Sequence, residues 1–144
     1  MSDEILINKF AYRFTEPKRF DIIVFKQNGK EHSFYNIKRV VGLPGETISI
    51  KDGSVYINGE AIDEKIDVPP MTTAGVAEDK LKLDDNEFFV LGDNRNNSED
   101  SRFTSLGNVV KEDIIGKAWI RLNSFNFVNQ LTTENRSDKL EEEQ

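Results

Sequence analysis

The sequence has no cysteine and only one histidine, His32. The first absence removes disulfides, thiolate nucleophiles and cysteine-bound metals. The second leaves a zinc site with His32 and carboxylates alone, and a Ser-His-Asp triad with His32 as its only base. His32 stands between Glu31 and Ser33, just past an Asn28-Gly29 pair, with no nucleophile motif nearby. Its plain reading is a surface side chain. A catalytic base in such a chain is a carboxylate or a lysine. Long apolar runs are lacking as well, and no window approaches the roughly 20 residues of a membrane helix. Residues 1–10 have neither a basic start nor an apolar stretch, so they do not read as a secretion signal. The chain as given is expected to be soluble. Positive charge is short, with 19 Lys and Arg against 26 Asp and Glu and a net charge of −7. Nucleic-acid binding needs a basic face, so it is not expected.

What is present is strand and turn. Asn28-Gly29, Asp52-Gly53 and Asn58-Gly59 are dipeptides favoured in type I′ hairpin turns, where both central residues take positive φ. The runs between them alternate or are rich in β-branched and aromatic residues: 21–26 (DIIVFK), 33–41 (SFYNIKRVV), 47–51 (TISIK), 54–57 and 61–62. Residues 87–91 (EFFVL) and 116–122 (GKAWIRL) read as later strands and 4–10 as the first. No sustained 3.6-residue apolar period occurs, although 111–115 suits a single turn. The fold class is all-β. Residues 63–85, with Pro69-Pro70 and Gly75, read as a long surface loop. The polar stretch 132–144 reads as a disordered tail, which leaves 1–131 as one domain.

Two stretches exceed what a generic β-domain needs. Residues 38–46 read KRVVGLPGE. Lys38 and Arg39 are adjacent, so they point to opposite faces of a strand, and one should face inward. An inward cation must lose its charge or find a partner. Residues 92–102 read GDNRNNSEDSR, eleven residues without an apolar side chain. A calcium loop beginning at Asp93 fits poorly, because Arg95 takes a ligand position and no glycine follows at the required offset. If ordered, such a loop must satisfy itself, and Asp93, Asn94, Ser98, Asp100 and Arg102 supply donors and acceptors.

Together these stretches resemble bacterial type I signal peptidases, whose motifs run K-R-x-x-G-x-P-G-[DE] and, later, G-D-N-x-x-x-S-x-D-S-R. Both are complete here and in order. Residues 8–25 (NKFAYRFTEPKRFDIIVF) resemble the family's early block, N-K-x-x-Y-R-x-x-x-P-x-R-G-D-I-V-x-F. The resemblance covers roughly 4–122, and its tight spacing looks like the short Gram-positive members. Phe20 departs from it, standing where the family usually has glycine. The family's S-M-x-P-T nucleophile block, upstream of Asn8 and behind a membrane anchor, has no match. The expectation is a chain cut before its serine, inactive alone, with a serine-less paralogue as the competing explanation. Loss of that segment would uncover apolar surface, so a dimer or a disordered Lys38 region is also expected.

The resemblance implies a signal-peptidase β-ribbon domain of antiparallel hairpins with partly closed, barrel-like sheets. It implies a serine endopeptidase that removes signal peptides from exported preproteins by a Ser-Lys dyad, with no metal and no cofactor needed. The full-length protein would sit in the cell membrane with this domain on the extracytoplasmic face. Lys38 is the implied general base and Ser98 the residue that orients its amine. Asp100 and Arg102 pair to hold the loop, and Asp93 pairs with Arg39. Asn36 and Ile37 are placed to touch substrate. Such a lysine must be neutral when it takes a proton, which apolar surroundings favour; Phe34, Ile37, Val40 and Val41 are its apolar neighbours in sequence. Three readings compete: a non-catalytic peptide-binding or assembly factor on the same fold, a self-cleaving repressor domain, and a plain β-barrel binding module.

Overall fold

The computed structural model describes residues 4–27 and 35–121. Ten strands form two antiparallel sheets. They are β1 (Glu4–Asn8), β2 (Ile22–Lys26), β3 (Tyr35–Gly42), β4 (Thr47–Lys51), β5 (Ser54–Ile57), β6 (Glu60–Ala61), β7 (Leu81–Lys82), β8 (Glu87–Leu91), β9 (Val109–Val110) and β10 (Ile114–Arg121). The larger sheet has the order β1-β10-β2-β3-β8-β9 and the smaller β6-β5-β4-β7. The all-β expectation holds. The ladders run from one end strand to the other in each sheet, and no pairing among the described residues closes either into a barrel.

The turns follow their dipeptides. Asp52 and Gly53 have φ of 51° and 80°, and Asn58 and Gly59 have 52° and 89°. Positive φ at both central positions is the type I′ geometry that matches strand twist. The Asn28-Gly29 pair, His32, Phe34 and the tail 132–144 lie outside the described residues. The single turn expected near 111–115 is a 3-10 turn at Lys111–Asp113.

The core is double. Val41, Leu91 and Phe89 pack with Ile48, Ile50, Val55 and Ile57 of the smaller sheet. Val40, Val90 and Phe88 pack on the other side with Ile23, Phe25 and Val109. Successive strand residues point to opposite faces, so β8 contributes to both clusters. That is why, after Glu87, it reads FFVL, an unbroken apolar run, and not as an alternating one.

Residues 63–85 correct the surface-loop expectation. Met71, Ala77 and Leu83 from this stretch are buried in the first core cluster. It also forms a 3-10 turn at Gly75–Glu78 and the strand β7. The Met71 amide donates to the Gly53 carbonyl at 3.1 Å, which docks the stretch on the β4–β5 hairpin. Its fully buried side chains are three apolar residues, Met71, Ala77 and Leu83, too far apart to mark the two-residue period of a strand or the 3.6-residue period of a helix.

Because each face of β8 carries its own core, Phe88→Ala and Phe89→Ala should each lower the unfolding free energy by about 3–5 kcal/mol. Urea unfolding midpoints check this. A harmless substitution at either position would mean that its face is not core.

Candidate active site

Strand β3 carries the first motif, and the loop leaving β8 carries the second. The β3–β8 ladder pairs Arg39 with Leu91 and Val40 with Val90. Gly92 and Asp93 therefore emerge beside Lys38 and Arg39. Alternation sends Lys38 and Arg39 to opposite faces, and the structure gives each its own partner from the loop. Lys38 is half-buried, and its Nζ donates to Ser98 Oγ at 3.3 Å. Arg39 is the inward residue, only 4% exposed. Its Nε and Nη2 donate to the two oxygens of Asp93 at 2.8 and 2.7 Å. Its Nη1 donates to the Phe20 carbonyl at 2.9 Å.

That last bond explains Phe20. Its φ is 76°, in the left-handed region that glycine adopts freely and larger residues rarely do. The Phe20 amide donates to the Val40 carbonyl at 2.7 Å while its own carbonyl receives Arg39. A glycine would adopt this conformation freely, and phenylalanine here is held in it from both sides.

The loop is ordered by a buried ion pair. Asp100 and Arg102 have side-chain exposures of 0% and 1%. Asp100 Oδ1 accepts from Arg102 Nε at 2.8 Å and from the Arg102 amide at 3.2 Å. Its Oδ2 accepts from Arg102 Nη2 at 2.9 Å and from the Gly92 amide at 3.1 Å. Arg102 also donates to the carbonyls of Thr73 and Arg95. Ser101, fully buried, stitches the loop back to β8: its Oγ accepts from the Val90 amide at 2.9 Å, and its amide donates to the Val90 carbonyl at 3.0 Å. A glycine is needed at 92, since a Cβ there would stand 1.9 Å from Ser98 Oγ and 3.6 Å from Lys38 Nζ.

Three further residues were not found from sequence. Arg95, 1% exposed, donates to the Gly92 carbonyl and to both oxygens of Glu64. Gly75, with φ of 58°, lies so close to Arg102 that a Cβ would stand 2.1 Å from its carbonyl oxygen. Glu64 and Gly75 both belong to the stretch read as a surface loop, so nothing local in sequence linked them to residues 92–102.

The first motif has its own brace. Glu46 accepts from Arg19 Nη1 and Nη2 at 2.8 and 2.7 Å and from the Leu43 amide at 2.7 Å. Burial alone would raise the Glu46 carboxyl, but these donors and the Arg19 charge outweigh it and hold it below its ordinary value. In the early block, Tyr12 donates to Asp21 at 2.8 Å. Burial, then the Asp21 charge, keeps the Tyr12 hydroxyl protonated far above its usual range.

Asn36 and Ile37 lie on β3 opposite Phe25 and Val24 of β2. The β3–β8 ladder begins only at Arg39, so this part of β3 runs past the end of β8. Two clefts, of about 440 and 380 Å³, lie elsewhere, and neither is lined by Lys38 or Ser98. The lysine–serine contact sits on the stretch of β3 that precedes the β8 ladder. No group of three or more His, Cys, Asp and Glu side chains that could hold a metal ion occurs among the described residues. No helix among them is long and apolar enough to cross a membrane.

Fold and site define a class: an antiparallel all-β domain with a lysine–serine contact seated on a loop braced by buried arginines. Residues 1–123 match the family described as signal peptidase, peptidase S26, and the chain belongs to that family. It is 36% identical over 146 residues to the probable signal peptidase I-2 of Synechocystis sp. (strain ATCC 27184 / PCC 6803 / Kazusa), covering 98% of this chain and 64% of that protein. It is 41% identical over 138 residues to the signal peptidase I of Leptolyngbya laminosa, covering 91% and 65%. The chain therefore spans a little under two thirds of the length of these relatives. The crystal structure of a signal peptidase I from Enterococcus faecalis V583 superposes with a TM-score of 0.54 at 30% identity, covering 72% of this chain and 97% of that one.

Two outcomes follow from the braces. Asp100→Ala leaves the Arg102 guanidinium buried without its carboxylate, and should cost about 3–5 kcal/mol in chemical unfolding; a loss under about 1 kcal/mol would show that Arg102 is held by its carbonyl partners alone. A carboxyl with a lowered folded-state value contributes stability above its unfolded value and loses it as pH falls through the folded one. For Glu46 that loss begins near its ordinary value of 4.5. Unfolding midpoints followed from neutral pH downward should fall less steeply below that point in Glu46→Gln than in the parent.

Proposed function

We propose that this chain is the catalytic β-domain of a type I signal peptidase, a serine endopeptidase that removes signal peptides from exported preproteins. The observation that carries the reading is the contact of Lys38 Nζ with Ser98 Oγ at 3.3 Å, over a position where only glycine fits. In this mechanism Lys38 is the general base. Ser98 accepts one amine hydrogen and so turns the lone pair toward the hydroxyl that attacks the scissile carbonyl. Lys38 takes the proton of that hydroxyl and returns it to the leaving amine, the Ser-Lys form of the triad logic. The nucleophilic serine is assigned to the part of the relatives' length that this chain does not span. Arg39, Asp93, Asp100 and Arg102 hold the base and its partner in register.

The position of the contact suits an extended peptide. The main chain at Ile37 and Lys38 continues β3 beyond the β8 ladder, where a substrate can add as a strand and bring its carbonyl to the base. Asn36 and Ile37 then lie beside it. The membrane holds the full-length protein, with this domain on the extracytoplasmic face.

In the full-length enzyme, Lys38→Ala should reduce cleavage of a preprotein by at least about 10²–10⁴-fold, the usual contribution of a positioned acid–base group. Ser98→Ala should give a smaller loss of kcat. Gel-based cleavage assays on detergent-solubilised enzyme measure both. Near-parental turnover by the Lys38→Ala enzyme would remove lysine from the mechanism.

A further inference from the structure

We infer that Glu64 is a positioning residue for the Lys38–Ser98 contact, acting through Arg95 and Gly92. The inference deepens the proposed signal-peptidase reading and rests on it. Glu64 belongs to no motif of residues 38–46 or 92–102, and it lies 31 residues before Arg95.

The chain of contacts is continuous. Glu64 receives Arg95 Nη1 at 2.9 Å and Nη2 at 2.7 Å, a two-pronged pair with side-chain exposures of 0% for Arg95 and 11% for Glu64. The remaining prong of the fork, Nε, donates to the Gly92 carbonyl at 2.8 Å. The other polar end of Gly92, its amide, is held by Asp100 at 3.1 Å. Gly92 is thus fixed at both ends, and it forms the surface on which Ser98 and Lys38 meet. The lysine–serine contact is 3.3 Å, long for a hydrogen bond. A shift of a few tenths of an ångström in Gly92 changes whether it forms.

The local backbone aims Glu64 at this task. Lys65 has φ of 64°, a left-handed turn, and its amide donates to Asp63 Oδ1 at 3.3 Å. Asp63 and Lys65 stay exposed while Glu64 between them turns inward. A buried guanidinium without its carboxylate is strongly disfavoured. Removing the Glu64 charge therefore drives Arg95 to move toward water, and the Gly92 carbonyl loses its donor. The bonds between Asp100 and Arg102 do not involve Glu64 or Arg95, so the loop keeps its main anchor.

The test is Glu64→Gln, with Glu64→Asp as the conservative partner, in the full-length enzyme. Misplacement of reacting groups by ångström amounts costs up to about 10²-fold, so kcat should fall by about tenfold or more while KM stays near the parental value. Glu64→Asp should restore a large part of kcat. A second readout needs no activity: the rate at which Lys38 is acylated by an amine-reactive reagent, read by mass spectrometry against exposed Lys51 in the same chain. That ratio should change in Glu64→Gln and return toward parental in Glu64→Asp. Parental kcat together with a parental labelling ratio overturns the inference. So does a loss of folding stability with kcat and labelling unchanged in the folded fraction, which would make Glu64 merely structural. If Glu64→Gln does not fold, Glu64→Asp decides by the same two readouts. Should Lys38→Ala remain active, Lys38 is not the base and the Ser-Lys reading fails, and the labelling ratio still judges the Glu64 inference separately.

Discussion

The loop of residues 92–102 depends on the Asp100–Arg102 ion pair. Taking two charges out of water is costly, and attraction between them compensates only when the remaining hydrogen-bonding capacity is also met. Here it is met: Asp100 accepts four N–H donors, two of them from backbone amides, and Arg102 reaches two carbonyls besides. The pair therefore fixes main chain as much as side chain. Eleven polar residues with no apolar anchor of their own become a rigid platform, and Ser98 is placed by it.

The braces around that platform are arginines throughout. Arg19 joins Glu46, Arg39 joins Asp93, Arg95 joins Glu64 and Arg102 joins Asp100, each within 2.8 Å. A planar fork with five donors can grip a carboxylate with two prongs and a carbonyl with a third. Arg39 and Arg95 do so, each bridging a carboxylate to a backbone carbonyl, Phe20 in one case and Gly92 in the other. Lysine, a compact charge without this geometry, meets a single oxygen, as Lys38 does at Ser98.

Much of this was legible in the sequence because the signals are local. Asn-Gly and Asp-Gly dipeptides encode positive φ, and β8 announced itself by four consecutive apolar residues, Phe88 to Leu91. The adjacency of Lys38 and Arg39 was enough to infer two faces and two environments, and the structure resolves them as a half-buried lysine and a buried arginine. Glu64 and Gly75 were not legible. Their importance comes from what lies across the fold, a guanidinium in one case and a carbonyl oxygen in the other, and neither leaves a periodic trace in residues 63–85. Phe20 marks the middle ground: its departure from glycine was visible, but only the backbone angle and the Arg39 bond give it a cause.

Strand β8 serves two cores at once, and this bears on how the molecule comes apart. Phe89 and Leu91 belong to one cluster and Phe88 and Val90 to the other, so the smaller sheet cannot leave without stripping one face of a strand whose other face serves the second core. The excursion from β4 to β7 begins and ends beside β3 and β8, which makes it resemble a detachable insertion in sequence. Physically it is not detachable. Excising it would leave Val41, Phe89 and Leu91 facing water, and the remnant would be a sticky half-sandwich. Unfolding should therefore be a single cooperative event in which both cores melt together, with the platform lost at the same moment as the strand that leads into it.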